Sequence, residues 1–112
     1  MKFARLSPYD AHVFFSYSVI ALSAYAAGNF AETAEWARRA AAINPRYTAN
    51  LRFLVAGLAA SGQIEEARRA GRDLMRVDAK FSTTRFAEGY AFKDSTKRKL
   101  IGEHLLLAGL PE

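Results

Sequence analysis

The chain reads as an all-α protein, a solenoid of antiparallel helix hairpins, and three observations predict that class. The first is a recurrence. A step of 34 residues carries Gly28 onto Gly62, Phe30 onto Ile64, Glu32 onto Glu66, Arg38 onto Arg72, Ile43 onto Val77 and Asn44 onto Asp78. Such a period fits a helix-turn-helix unit, which cannot bury its apolar face alone and therefore stacks on its neighbours. The second is sparse punctuation: three prolines (Pro8, Pro45, Pro111) and seven glycines in 112 residues. The third is an apolar fraction dominated by alanine, which has the highest helix propensity and lets helices approach closely.

Residues 1–10 are expected to be the end of a preceding repeat or a linker. Arg5-Leu6-Ser7-Pro8 has the form of Ala42-Ile43-Asn44-Pro45, the exit from a helix, which suggests a chain cut from a longer one. Residues 11–47 form the first repeat. Asp10 is the expected N-cap of a helix over 11–27. Val13, Phe14, Tyr17, Ile20, Ala21, Ala24 and Tyr25 step at helical spacing along it, and Gly28 follows as a left-handed terminator. The partner helix runs over 30–43 and Pro45 stops it.

The second repeat occupies 48–81. Thr48 or Asn50 is expected to cap a helix to Ser61 with Leu51, Leu54, Val55 and Leu58 inward, and Gly62 ends it. A helix over 64–77 follows, with Ile64, Ala67, Gly71, Leu74 and Met75 inward. Residues 82–112 read as capping helices that hide the last apolar face. Ser82-Thr83-Thr84 starts a short helix to Gly89, and Tyr90-Ala91-Phe92-Lys93 is a connector. Asp94-Ser95-Thr96 opens a last helix to Ala108, which presents Leu100, Ile101, His104, Leu105 and Ala108 to the core. Gly109-Leu110-Pro111 has the order of a Schellman ending: glycine, apolar residue, proline.

Composition narrows the function. With no cysteine there is no disulfide framework, thiolate metal site or thiol nucleophile, in keeping with a cytoplasmic location. His12 and His104 are far apart and neither has a carboxylate at metal-binding spacing; His104 reads as a packed residue. No phosphate-cradling glycine loop or nucleophile elbow occurs, so no catalytic residue, cofactor or metal ligand is assigned. Lys2 and Arg5 before an apolar run with Ala24-Tyr25-Ala26 imitate a signal peptide. Pro8, Asp10 and three serines interrupt the pattern, and the run is too short for a membrane span.

The net charge of +5 sits largely on Arg38, Arg39, Arg68, Arg69, Arg72 and Arg76. The candidate basic face is Arg68, Arg69, Arg72 and Arg76. Glu35 with Arg39, Glu65 with Arg69 and Arg69 with Asp73 are neighbours one turn apart, so a solvated, paired face outweighs a nucleic-acid surface.

The repeat resembles the tetratricopeptide (TPR) family at Tyr17, Ile20, Ala21, Ala24, Gly28, Phe30, Ala40 and Pro45, and again at Leu51, Leu54, Leu58, Gly62, Ile64 and Ala67. Thr33, Val55, Gly71 and Ala79 depart from the family pattern, and Trp36 stands one residue from the usual aromatic. The tail, with Thr84-Arg85-Phe86, Ala91-Phe92-Lys93-Asp94 and Leu105 to Glu112, is similar to the C-terminal TPR region of bacterial class III adenylate/guanylate cyclases and of some transcriptional regulators.

The resemblance implies a non-catalytic interaction module. It places a peptide groove on Phe15, Ser18, Leu22, Tyr25, Ala49, Arg52, Phe53, Ala56 and Ala60. Ser18 and Leu22 replace the Lys and Asn of the family's carboxylate clamp, so a chaperone C-terminal peptide is not the expected ligand. The expected partner is a protein or peptide, with homodimerisation through Phe3, Tyr9, Phe14 and Phe15 as the alternative.

Overall fold

The structure, a computed structural model, describes residues 7–89 and 94–112, with side chains from residue 13 onward. Six helices and no strand occur among them: α1 Ser7–Ala26, α2 Phe30–Ile43, α3 Thr48–Ala60, α4 Ile64–Val77, α5 Thr83–Gly89 and α6 Ser95–Leu107. Residues 1–6 and the 90–93 connector, Phe3 included, lie outside the described residues, as do the side chains of Tyr9 and His12.

Two helix starts differ from expectation. Ser7 is already helical, so Asp10 lies inside α1 and does not cap it. Proline is tolerated in the first helical turn, where its missing N–H has no intrahelical acceptor, so Pro8 does not delay the helix. At α3 the N-cap is Tyr47, in extended backbone, and neither Thr48 nor Asn50 takes that place. Asn50 turns inward instead and its Nδ2 donates to the Ala37 carbonyl at 2.9 Å, tying α3 to α2.

Repetition in the sequence becomes repetition in the backbone. Gly28 and Gly62 have φ of 83° and 85°, in the left-handed region that glycine enters without a Cβ penalty. At both turns the same two bonds form, Asn29 N–H to Ala24 and Gly28 N–H to Tyr25, then Gln63 N–H to Leu58 and Gly62 N–H to Ala59. These are the two bonds of a Schellman ending. The N-caps Asn29 (φ −92°, ψ 75°) and Gln63 (φ −89°, ψ 66°) match, as do the C-caps Asn44 (φ −136°, ψ 89°) and Asp78 (φ −133°, ψ 82°). Two helix hairpins, α1–α2 and α3–α4, are therefore built on one plan.

α3 is the centre, packed against α1, α2, α4 and α6. From Asn50 to Ala59 every residue except Arg52 is buried. An apolar helix with no polar face must be covered on all sides. α2 comes close: a Cβ placed on Gly57 would stand 2.8 Å from Thr33 Cγ2 and 3.0 Å from the Ala34 backbone nitrogen. The inward residues expected on α4 are indeed covered, Ala67, Gly71 and Leu74 fully and Ile64 and Met75 in part. On α1 the expectation fails at Ile20, which is 40% exposed.

The tail closes the other side. Asp94 accepts a hydrogen bond from Thr96 N–H at 2.8 Å and so caps α6. Gly109, at φ 89°, ends α6 with the Leu110 N–H to Leu105 and Gly109 N–H to Leu106 bonds of the third Schellman turn. Leu110, the apolar residue of that motif, is buried, its Cδ2 3.4 Å from where a Cβ on Gly71 would stand. Gly71, which departs from the family pattern, lies within ordinary van der Waals reach of this leucine. Ser82 Oγ accepts from Arg85 N–H, capping α5. The Thr83 and Thr84 amides donate to the Pro111 and Glu112 carbonyls at 3.0 and 2.9 Å.

Helical glycines separate two effects. Gly57→Ala forces a methyl into the α2 backbone and should destabilise the fold by roughly 1–3 kcal/mol. At Gly102 the nearest atom to an added Cβ is Ala87 Cβ at 3.5 Å, an ordinary contact. Gly102→Ala should therefore raise stability by roughly 0.5–1 kcal/mol through helix propensity. Urea denaturation of both variants checks the pair, and equal effects would contradict the close α2–α3 approach.

Candidate functional site

The nine groove residues divide into two sets. Phe15, Ser18, Leu22 and Ala49, joined by Val19, Tyr47 and Phe53, line an open cavity of about 160 Å³ between α1 and α3. Phe15 and Val19, one helical turn apart, are 54% and 43% exposed. Ser18 Oγ donates to the Phe15 carbonyl at 2.9 Å, so its hydroxyl is satisfied within the helix. None of the seven lining side chains is charged. Phe14, expected to lie bare beside Phe15, is half-buried and stacks edge-on to Tyr47 with ring centres 5.1 Å apart.

Tyr25 and Ala56 are not available to a ligand, nor is most of Phe53: each is at most 3% exposed. Ala60 is half-buried. α6 lies on α3 and brings His104 between Tyr25 of α1 and Phe30 at the start of α2, with ring centres 5.9 and 5.3 Å away. The Tyr25 hydroxyl and His104 Nδ1 form a 2.6 Å hydrogen bond. The chain's own last helix thus covers part of the surface on which the family resemblance places a groove.

Arg52 is also diverted. Its guanidinium carbon stands 5.0 Å from the Phe86 ring centre and 5.9 Å from that of Phe81, so it joins α3 to the tail as a cation over aromatic faces. Its aromatic partners stand at the end of the second repeat and in the first capping helix.

Burial shapes the titration of the Tyr25–His104 pair. It raises the Tyr25 phenol well above its ordinary value, with the Glu103 charge adding to the effect. It lowers the His104 imidazole, and Glu103 offsets only part of that shift. Both shifts favour the neutral forms, the state in which a covered pair loses least hydration.

The basic face carries its own counter-charges. α4 has Glu65, Glu66 and Asp73 among its four arginines. Glu65 pairs with Arg68 at 3.9 Å, where Arg69 was expected, and Asp73 pairs with Arg76, where Arg69 was again expected. The expected Glu35–Arg39 pair forms at 2.7 Å, with the Arg39 guanidinium over Trp36. Phosphate binding needs cations that can displace the counterions condensed on the nucleic acid; on α4 two of the four arginines already face a carboxylate.

Among the described residues no group of three or more His, Asp and Glu could hold a metal ion. No helix there is long and apolar enough to cross a membrane. Compared with family models, curated proteins and solved structures, the chain matches none.

Stability should follow pH with a sign set by His104. Its folded-state value lies below the ordinary 6.5, so the folded protein binds fewer protons than the unfolded chain and is most stable above that pH. Stability should fall as the pH drops through about 6.5, and His104→Gln should flatten that limb. A second decline, from Glu66 held low by its hydrogen bonds to Arg38, should begin only below about 4.5. Thermal melts across this range check both limbs, and a profile identical in His104→Gln would remove the first.

Proposed function

We propose that this chain is a non-catalytic protein-interaction module of the TPR type, working in the cytoplasm. It would seat a partner segment by one large apolar side chain. The observation that carries this reading is the cavity between α1 and α3, which stays open where α6 does not reach. Its walls offer apolar area, with the Tyr47 ring at one edge and no charge. An uncharged aliphatic or aromatic anchor loses least on entering it, since a buried charge without a partner is costly. Grooves of this kind hold amphipathic helices or short peptides by such anchors. The tail similarity supports a further expectation, that the module serves the C-terminal region of a bacterial cyclase-type or transcription-regulating protein.

Tyr25 is unsuitable as a probe of binding, because its loss would unseat α6. Phe15→Glu and Val19→Glu alter exposed positions and should keep full helicity. A displayed random-peptide library panned on the wild-type chain should yield peptides with a shared apolar anchor. Binding of those peptides should fall by about tenfold or more in either variant, as for a central interface residue. Recovery of no peptide, or of peptides indifferent to both substitutions, would defeat the assignment.

A further inference from the structure

The joint between the two hairpins is explicit. Arg38 of α2 donates from Nε and Nη2 to the Glu66 carboxylate at 2.8 and 2.7 Å, and from Nη2 to Gln63 Oε1 at 2.9 Å. The receiving pair is the N-cap of α4 and the third residue of that helix. A planar guanidinium suits this two-oxygen grip, which fixes direction as well as distance.

Each half of that joint recurs once more. The equivalent of Arg38 in the second hairpin is Arg72, and the equivalents of Gln63 and Glu66 in the first are Asn29 and Glu32. Asn29 has the same N-cap backbone as Gln63, so Glu32 is placed on α2 as Glu66 is on α4. Neither spare half is completed by its repeat neighbour. A carboxylate for Arg72 would stand at residue 100, which is Leu100, and a cation for Glu32 would stand at residue 4, which is Ala4. Asn29, Glu32 and Arg72 are all exposed, and no ion pair joins Glu32 or Arg72 among the described residues.

Arg72 also has room in front of it. It lines a cavity of about 510 Å³ between α4 and the last turn of the chain, with Gly71, Met75 and Leu110 as the apolar part. Arg68 and Arg76 flank it one turn to either side and pair with carboxylates of their own helix. The cavity therefore offers one uncommitted guanidinium above apolar surface, and the chain itself carries the matching carboxylate and amide.

We infer that a second copy of this chain docks at this cavity by the first turn of its α2. Arg72 of one copy holds Glu32 and Asn29 of the next in the fork that Arg38 makes with Glu66 and Gln63. The two surfaces differ, so the contact is heterologous and copies add head to tail. It is separate from the cavity between α1 and α3 and does not depend on what that cavity binds.

Sedimentation velocity of the wild-type chain over a wide concentration range tests it. The mass should rise with concentration and continue past the dimer. Arg72→Glu and Glu32→Arg should each weaken association by about tenfold or more, since each sets like charges face to face. Both positions are exposed, and circular dichroism should report unchanged helicity. An equimolar mixture of the two variants should recover association, because one variant supplies Glu at both positions and the other Arg at both. A chain that stays monomeric throughout would overturn the inference. So would variants that associate as well as wild type, which would move self-association to the apolar face around Phe15 and Val19.

Discussion

Helix α3 has no side that water can take. Between Asn50 and Ala59 only Arg52 is less than buried, and that guanidinium is turned over the Phe81 and Phe86 rings. Fully covering side chains such as Leu58 and Val55 is worth roughly 1.5–3 kcal/mol each, so a partly covered α3 would forfeit much of a marginal stability. The four helices packed against it are arranged by that need. α2 approaches where Gly57 leaves out a side chain, α4 closes the opposite flank, and α6 returns along the chain to cover what α1 does not. The tail is therefore part of the core.

This requirement also decides where a ligand could sit. The family resemblance implies one continuous surface along α1 and α3, but α3 cannot wait for a ligand to be covered. α6 takes the part around Tyr25 and Ala56, and the His104–Tyr25 hydrogen bond fixes its position. What remains is the stretch of α1 from Phe15 to Leu22 facing Ala49, where an exposed stripe borders a small apolar cavity. This open stretch is smaller than the surface the resemblance implies and more uniformly apolar, since Arg52 lies over the Phe81 and Phe86 rings.

Local signals carried most of the architecture. Glycines at positions 28, 62 and 109 needed only their own chemistry to end helices, and Asp94 and Ser82 cap as their side chains dictate. Asn50 misled because a polar residue near a helix start looks like a cap, while its buried partner, the Ala37 carbonyl, is thirteen residues away. Pro8 misled in the opposite sense, as a breaker that is harmless in a first turn. The division of the groove was hidden because it depends on the return of α6, a contact over 79 residues between Tyr25 and His104. One cue was present: α3 is apolar all round, and the four helices of the two hairpins cannot cover it alone.

The closure at the neck of the tail has a mechanical consequence. Ser82 Oγ donates to the Glu112 carbonyl, and the next two amides donate to the carbonyls of Glu112 and Pro111. The α5–α6 segment thus enters and leaves at one point, like a loop tied at its base. Tension on residue 112 would be shared between those three bonds and the short stretch of backbone that leads back to α6. The opening turn of α5 thus takes part of a pull on residue 112 that would otherwise fall on α6, the helix that covers α3.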